Sequence, residues 1–293
     1  MALLLAVLSS LSFGVALVTG RVGLRTLDAR SGAAISIPVA TLLFSLAAPF
    51  ALDIEGFSAE AALWFAVVGL FFPAMVTIFT FRSNEQLGPT VTSTVSGTAP
   101  LFALLAAGLL LGERVPPQAV IASVAVVVGV GLLSWTRSVA RSGCTGWSLL
   151  WPVSGAVVRG LAQVGAKAGL LLWPSAFAAG LIGYLVSSVT VISASRLGRA
   201  ERPRPTKQSF VWFAATGILN GGAVLLMYAA LSMAPVAMVA PVVASYPLIT
   251  VLVSAAVLRE EALTVRMATG AIITVAAIIY LVAATTSVSP PSH

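Results

Sequence analysis

The chain alternates long apolar stretches with short polar gaps. A helix needs about 20 mostly apolar residues to cross the hydrocarbon of a bilayer. Runs of that kind occupy residues 2–20, 32–51, 61–81, 89–111, 117–135, 147–168, 173–193, 209–229, 235–258 and 263–284. They are apolar nearly all round rather than along one stripe, as helices embedded in lipid must be. The pattern predicts an all-α integral membrane protein of ten transmembrane helices. The one long polar gap, residues 195–208, holds Arg196, Arg199, Glu201, Arg202, Arg204, Lys207 and two prolines, and is expected to be a mobile loop. Met1 runs directly into Ala2, Leu3, Leu4 and Leu5 with no basic segment and no clear small-residue cleavage site. That start reads as the first span, not as a secretion signal.

The ten spans divide into two similar sets of five. Gly20-Arg21-Val22-Gly23-Leu24 closes the first span, and Ala166-Lys167-Ala168-Gly169-Leu170 closes the sixth. Gly88-Pro89 opens the fourth and Ala234-Pro235 the ninth; inside them come Ala99-Pro100-Leu101 and Tyr246-Pro247-Leu248. The fourth ends in Leu111-Gly112-Glu113-Arg114 and the ninth in Leu258-Arg259-Glu260-Glu261. The offset stays at 146 to 148 residues throughout, a colinear series that implies duplication: residues 1–138 as the first five-helix repeat and 139–293 as the second. Five crossings are an odd number, so the second copy must enter from the opposite side. Inverted repeats of this kind are typical of secondary transporters, which bind substrate near the midplane between the halves. A duplicated scaffold without transport is the competing reading.

The prolines within spans four and nine, each followed by a leucine-rich run and Gly-Glu or Arg-Glu, resemble the EamA branch of the drug/metabolite transporter superfamily. The resemblance covers essentially the whole chain in both copies. It implies ten helices, a central cavity lined mainly by spans 1, 3, 4, 6, 8 and 9, and export of metabolites or amino acids. These motifs specify the fold well and the substrate poorly.

Composition agrees and removes several classes of function. Apolar residues are 59% of the chain and charged residues 9%, against roughly a quarter charged in soluble domains. The net charge of +7 sits mostly in the gaps between spans, where membrane proteins keep their topology signals, so nucleic acid is not the implied partner. The bilayer and a small-molecule substrate are. The gaps after odd-numbered spans carry Arg21, Arg25, Arg30, Arg82, Arg137, Arg141, Arg259 and Arg266 besides the basic residues of 195–208; the even gaps carry Arg114 against Asp53, Glu55, Glu60 and Glu113. Positive charge stays in the cytoplasm, which puts both termini outside a cell (inner) membrane, although members of the family are often drawn with both inside. One cysteine, Cys144, and one histidine, His293, exclude a disulfide framework, a thiolate cluster and imidazole chemistry. No cofactor, metal site or catalytic spacing is expected, so the chain does not read as an enzyme.

Arg159 is the most informative residue. It falls near the middle of the sixth span, with Gln163 and Lys167 one and two turns on, along one stripe. A guanidinium at the bilayer centre costs roughly 3 kcal/mol or more unless it faces protein or water; a hydrated cavity is one explanation, and carbonyls freed by a helix break near Pro152 are the other. All nine acidic residues fall in loops or at span ends. A cavity with Arg159 and without a carboxylate favours an anion, or the carboxylate end of a zwitterion, over a cationic drug. It also leaves proton coupling without an obvious carrier, which makes exchange or facilitated diffusion the expected modes.

The candidate substrate-binding residues are Arg159, Gln163, Asn220, Tyr228, Thr94, Thr98, Tyr246 and Arg82. Thr94 and Thr98 lie in a row with Thr90 whose spacing equally serves helix packing, and Asn220 equally serves an interhelical hydrogen bond. Pro100 and Pro247 are expected to kink their spans and free carbonyls, toward a ligand or for packing alone. Gly217 and Gly221 form a GxxxG, at most a sign of close packing by span eight. Arg21 with Glu260 and Lys167 with Glu113 are candidate gates at the two mouths, the alternative being interfacial anchors. The function expected is transport of a small polar metabolite; a flippase for lipid headgroups is the alternative, and a homo-oligomer is compatible with the sequence.

Overall fold

A computed structural model describes residues 1–134, 146–197, 205–257 and 265–286. These residues form α1 (Ala2–Gly23), α2 (Ala29–Ala51), α3 (Ala59–Phe71), α4 (Ala74–Ser96), α5 (Ala99–Leu110), α6 (Pro117–Ser134), α7 (Gly146–Leu172), α8 (Ala176–Leu197), α9 (Lys207–Met233), α10 (Val236–Val243), α11 (Tyr246–Val257) and α12 (Val265–Thr286). No strand occurs among the described residues. Side chains outside the helices fix several starts. Asp28 accepts from the Arg30 N–H, Ser58 from the Ala61 N–H, and Thr206 from the Ser209 N–H, supplying partners for donors that the first turn leaves open.

Among the described residues, six helical runs are long and apolar enough to cross a membrane. Large apolar side chains cover the outside: Phe50 is 92% exposed, Leu109 75% and Ile272 69%. So extensive an apolar surface requires lipid as its solvent. The chain is a multi-pass membrane protein.

Breaks within the spans depart from the sequence reading. The predicted third span, 61–81, is divided where Phe72 leaves helical conformation (φ −132°, ψ 124°) ahead of Pro73. The helix resumes as α4 and breaks again at Gly88 (φ 80°, ψ 170°), before Pro89. The predicted fourth and ninth spans also break, but not at their prolines. Turns at Gly97-Thr98 and Ala244-Ser245 precede α5 and α11, and Pro100 and Pro247 occupy the second position of each new helix. Proline in a first turn gives up no hydrogen bond, because its missing donor has no partner there anyway. The two turns are bonded alike: Thr98 N–H to Val95 O at 3.1 Å and Ser245 N–H to Val242 O at 3.2 Å. The predicted loop 195–208 is partly helical, with α8 reaching Leu197 and α9 beginning at Lys207; residues 198–204 lie outside the described residues.

The core lies between the two halves of the chain. Helix α1 packs on α9 and α11, α2 on α8 and α9, α7 on α3, α4 and α5, and α6 on α12. Small residues permit these approaches. A methyl group on Gly14 would meet the Tyr246 carbonyl oxygen at 2.9 Å, and one on Gly160 the Ala99 carbonyl oxygen at 2.8 Å. Gly23 lies against the Phe213 ring and Gly169 against the Phe65 ring. Across α2 and α8 the Thr41 and Ser188 hydroxyls bond at 2.7 Å. In the GxxxG of α9, Gly217 packs on the backbone of Ser36 and Gly221 on Ala40.

Candidate functional site

Helix α7 turns its polar stripe inward: Arg159 is 8% exposed, Gln163 2% and Lys167 8%. It runs through Pro152 without interruption, so no break there supplies carbonyls for Arg159. The guanidinium instead lies among aromatic rings, its carbon 5.0 Å from the centroid of Phe13, 5.5 Å from Tyr246 and 5.9 Å from Phe72. Ring faces attract a cation by about 0.5–2 kcal/mol, but they accept none of its hydrogen bonds well. Nε and Nη1 are buried with no hydrogen-bond partner. Two acceptors nearby on the same inner surface, Gln163 Oε1 and Tyr184 Oη, are in the same condition. Buried polar groups are ordinarily bonded, which sets this cluster of open ones apart from the rest of the described core.

The cavity at Arg159 is lined from both halves, by Phe13 of α1, Phe72 and Pro73 at the break, Thr77 and Thr80 of α4, Tyr184 of α8, and Asn220 and Val224 of α9. Its volume is about 30 Å³, room for roughly two water molecules. The cavity is far smaller than the metabolite-binding chamber expected from the sequence. Its lining also differs from the set that the family resemblance implies. Tyr184 comes from the seventh predicted span, and neither the fourth nor the ninth contributes a lining residue.

The other candidates divide by position. Asn220 lines the cavity and the Tyr246 ring borders Arg159. Tyr228 is 2% exposed and does not line the cavity. The Thr94 and Thr98 hydroxyls bond carbonyls of their own chain segment, Thr90 O at 2.8 Å and Val95 O at 2.7 Å, and neither lines the cavity. Arg82 is 44% exposed, pairs with Glu85 at 3.1 Å, and belongs to a separate groove with Arg30 and Trp151.

The residues expected to gate the mouths clamp backbone instead. Arg21 Nη1 donates to Asn84 O at 2.8 Å and Glu85 O at 3.3 Å, just before the break at Gly88. Lys167 Nζ donates to Leu231 O at 2.7 Å and Ala234 O at 3.1 Å, just before Pro235. The Val236 N–H donates to Glu113 Oε2 at 3.1 Å. Lys167 and Glu113 therefore hold the backbone on either side of Pro235. Glu260, the proposed partner of Arg21, lies outside the described residues.

Phe13, Phe72 and Tyr184 were not singled out from sequence, because an aromatic residue in an apolar span looks the same facing lipid or cavity. One signal was present. Phe13 stands 146 residues before Arg159, so the offset between the halves leads from the guanidinium to the ring nearest it.

The model of the EamA-like transporter family matches residues 1–135 and 146–283. A crystal structure of a protein superposes on the chain with a TM-score of 0.78 at 17% identity, covering 98% of this chain and 99% of that one; at that identity the likeness concerns the fold alone. No curated protein matches.

Proposed function

Since the chain belongs to the EamA-like transporter family, within the drug/metabolite transporter superfamily, we propose that it is a secondary transporter exporting a small polar metabolite, anionic or zwitterionic such as an amino acid. Arg159 carries this reading, as a buried guanidinium with two unpartnered nitrogens in a cavity between the halves. A carboxylate would accept from it bidentately, and the Asn220 amide would orient the remainder of the substrate. Ring faces now occupied by the cation would become free to contact the substrate's body. Export proceeds by alternating access, the cavity widening toward one side and then the other. Among the described residues no carboxylate lines the cavity, so exchange or facilitated diffusion is preferred to proton coupling.

Ten crossings give this cycle its symmetry: α1, α2, residues 59–87, residues 89–110, α6, α7, α8, α9, residues 236–257, and α12. The first five form one repeat and the last five an inverted copy. The alike turns at Thr98 and Ser245, and the alike packing of Gly14 and Gly160, support this arrangement. The Arg21 clamp and the Lys167–Glu113 clamp then stand at opposite mouths and hold or release the reversals that begin spans four and nine. Both termini face outward on the charge distribution, which reporters fused to either end would check.

Flux of a metabolite panel in proteoliposomes, parent against Arg159→Ala, tests the reading. Loss of flux for anionic or zwitterionic substrates is expected. Normal flux of every substrate in the variant would show that Arg159 is structural.

A further inference from the structure

A second site lies away from the cavity, in a groove of about 420 Å³ lined by Arg30 at the start of α2, Ile78, Phe79 and Arg82 of α4, Trp151 of α7, and Val191 and Ala194 of α8. The wall is apolar, with the Phe79 and Trp151 rings packed at 5.7 Å. Both arginines are exposed. Arg30 lies in the first turn of α2, Trp151 in the second turn of α7, and Val191 and Ala194 in the last two turns of α8. Two cations above an apolar, aromatic wall match a molecule with an anionic head and a hydrocarbon tail. A soluble anion would leave the wall unused, and a neutral lipid would leave the cations unused.

We propose that this groove binds an anionic phospholipid of the adjacent leaflet, its phosphate between Arg30 and Arg82 and an acyl chain along Phe79, Trp151 and Val191. Basic pockets between transmembrane helices are known sites for such headgroups, and tryptophan favours that depth. Among the described residues, the Glu85 carboxylate, at 3.1 Å from Arg82, is the acidic group paired with these cations, and the phosphate competes with it for the Arg82 guanidinium. The site is independent of the transport reading, because none of its residues lines the Arg159 cavity.

Quenching of Trp151 fluorescence by lipids brominated on the acyl chain tests this in nanodiscs, with Trp151→Phe defining the signal. Brominated phosphatidylglycerol is compared with brominated phosphatidylcholine. A preference for the anionic lipid is expected in the parent, lowered about five-fold by R30Q or R82Q and up to about thirty-fold by both. High salt should lower it in the parent also, which needs no variant to fold. Equal quenching by the two lipids, a preference that survives both R30Q/R82Q and high salt, or displacement by millimolar inorganic phosphate would overturn the proposal.

Discussion

Two glycines of α9 give a matched test of the packing between the halves. A methyl group on Gly217 would overlap the Ser36 carbonyl oxygen and lie 2.9 Å from its carbon and 3.0 Å from Ser36 Cα. These are backbone atoms of α2 and cannot rotate aside, so the two helices would have to part by roughly 0.5–1 Å, an overpacking that costs about 1–3 kcal/mol. Alanine improves helix propensity by about 1 kcal/mol over glycine, which offsets only part of that cost. Gly222, five positions on in the same helix, has nothing within 4 Å of its added methyl, so it receives the propensity gain alone. Gly217→Ala is therefore expected to lower stability by up to about 2 kcal/mol while Gly222→Ala raises it by up to about 1 kcal/mol. Unfolding in a single detergent, followed by size-exclusion chromatography after heating, separates the two by several degrees. A Gly217→Ala protein as stable as Gly222→Ala would refute the close approach of α2 and α9.

Lys167→Met removes a charged donor from Leu231 O and Ala234 O. It should cost about 2–3 kcal/mol and raise hydrogen exchange at residues 231–236, with Lys167→Arg retaining part of the protection; unchanged exchange would show that the clamp carries no load. Asn220→Leu keeps the volume of the cavity lining but removes its amide. It should raise KM about five-fold with kcat less affected, as loss of one hydrogen bond implies, and a substrate concentration series on the parent's best substrate measures this.

Hydropathy made most spans legible, because a bilayer imposes a length and a composition that few other constraints mimic. The breaks were less legible. Gly88-Pro89 and Ala234-Pro235, read as the starts of spans four and nine, coincide with breaks in helical conformation, since glycine and proline change backbone options locally. Pro73 was concealed within an apolar run, and Pro100 and Pro247 were expected to be the kinks when they start the helices that follow them. In the site, Arg159 announced itself through the cost of its burial, and Asn220 followed as a rare amide in a span. Thr94 and Thr98 misled because hydroxyls at helical spacing bond their own backbone as readily as a ligand. Arg82 misled because its exposure depends on how α4 is rotated against α7, which composition does not encode. Cavity size was invisible as well, being set by how closely the rings of Phe13, Phe72 and Tyr184 approach.

The most direct test places a thiol in the cavity beside an intact Arg159. Cys144 is the only native cysteine, so Cys144→Ser leaves a background in which Thr80→Cys, on the cavity lining, is the sole target. Membrane-impermeant methanethiosulfonates, one anionic and one cationic, are added to either face of sealed vesicles. Alternating access around a positive cavity requires labelling from both faces, faster with the anionic reagent and slowed by substrate. A thiol inert from both sides, or one that reacts faster with the cation, would contradict it.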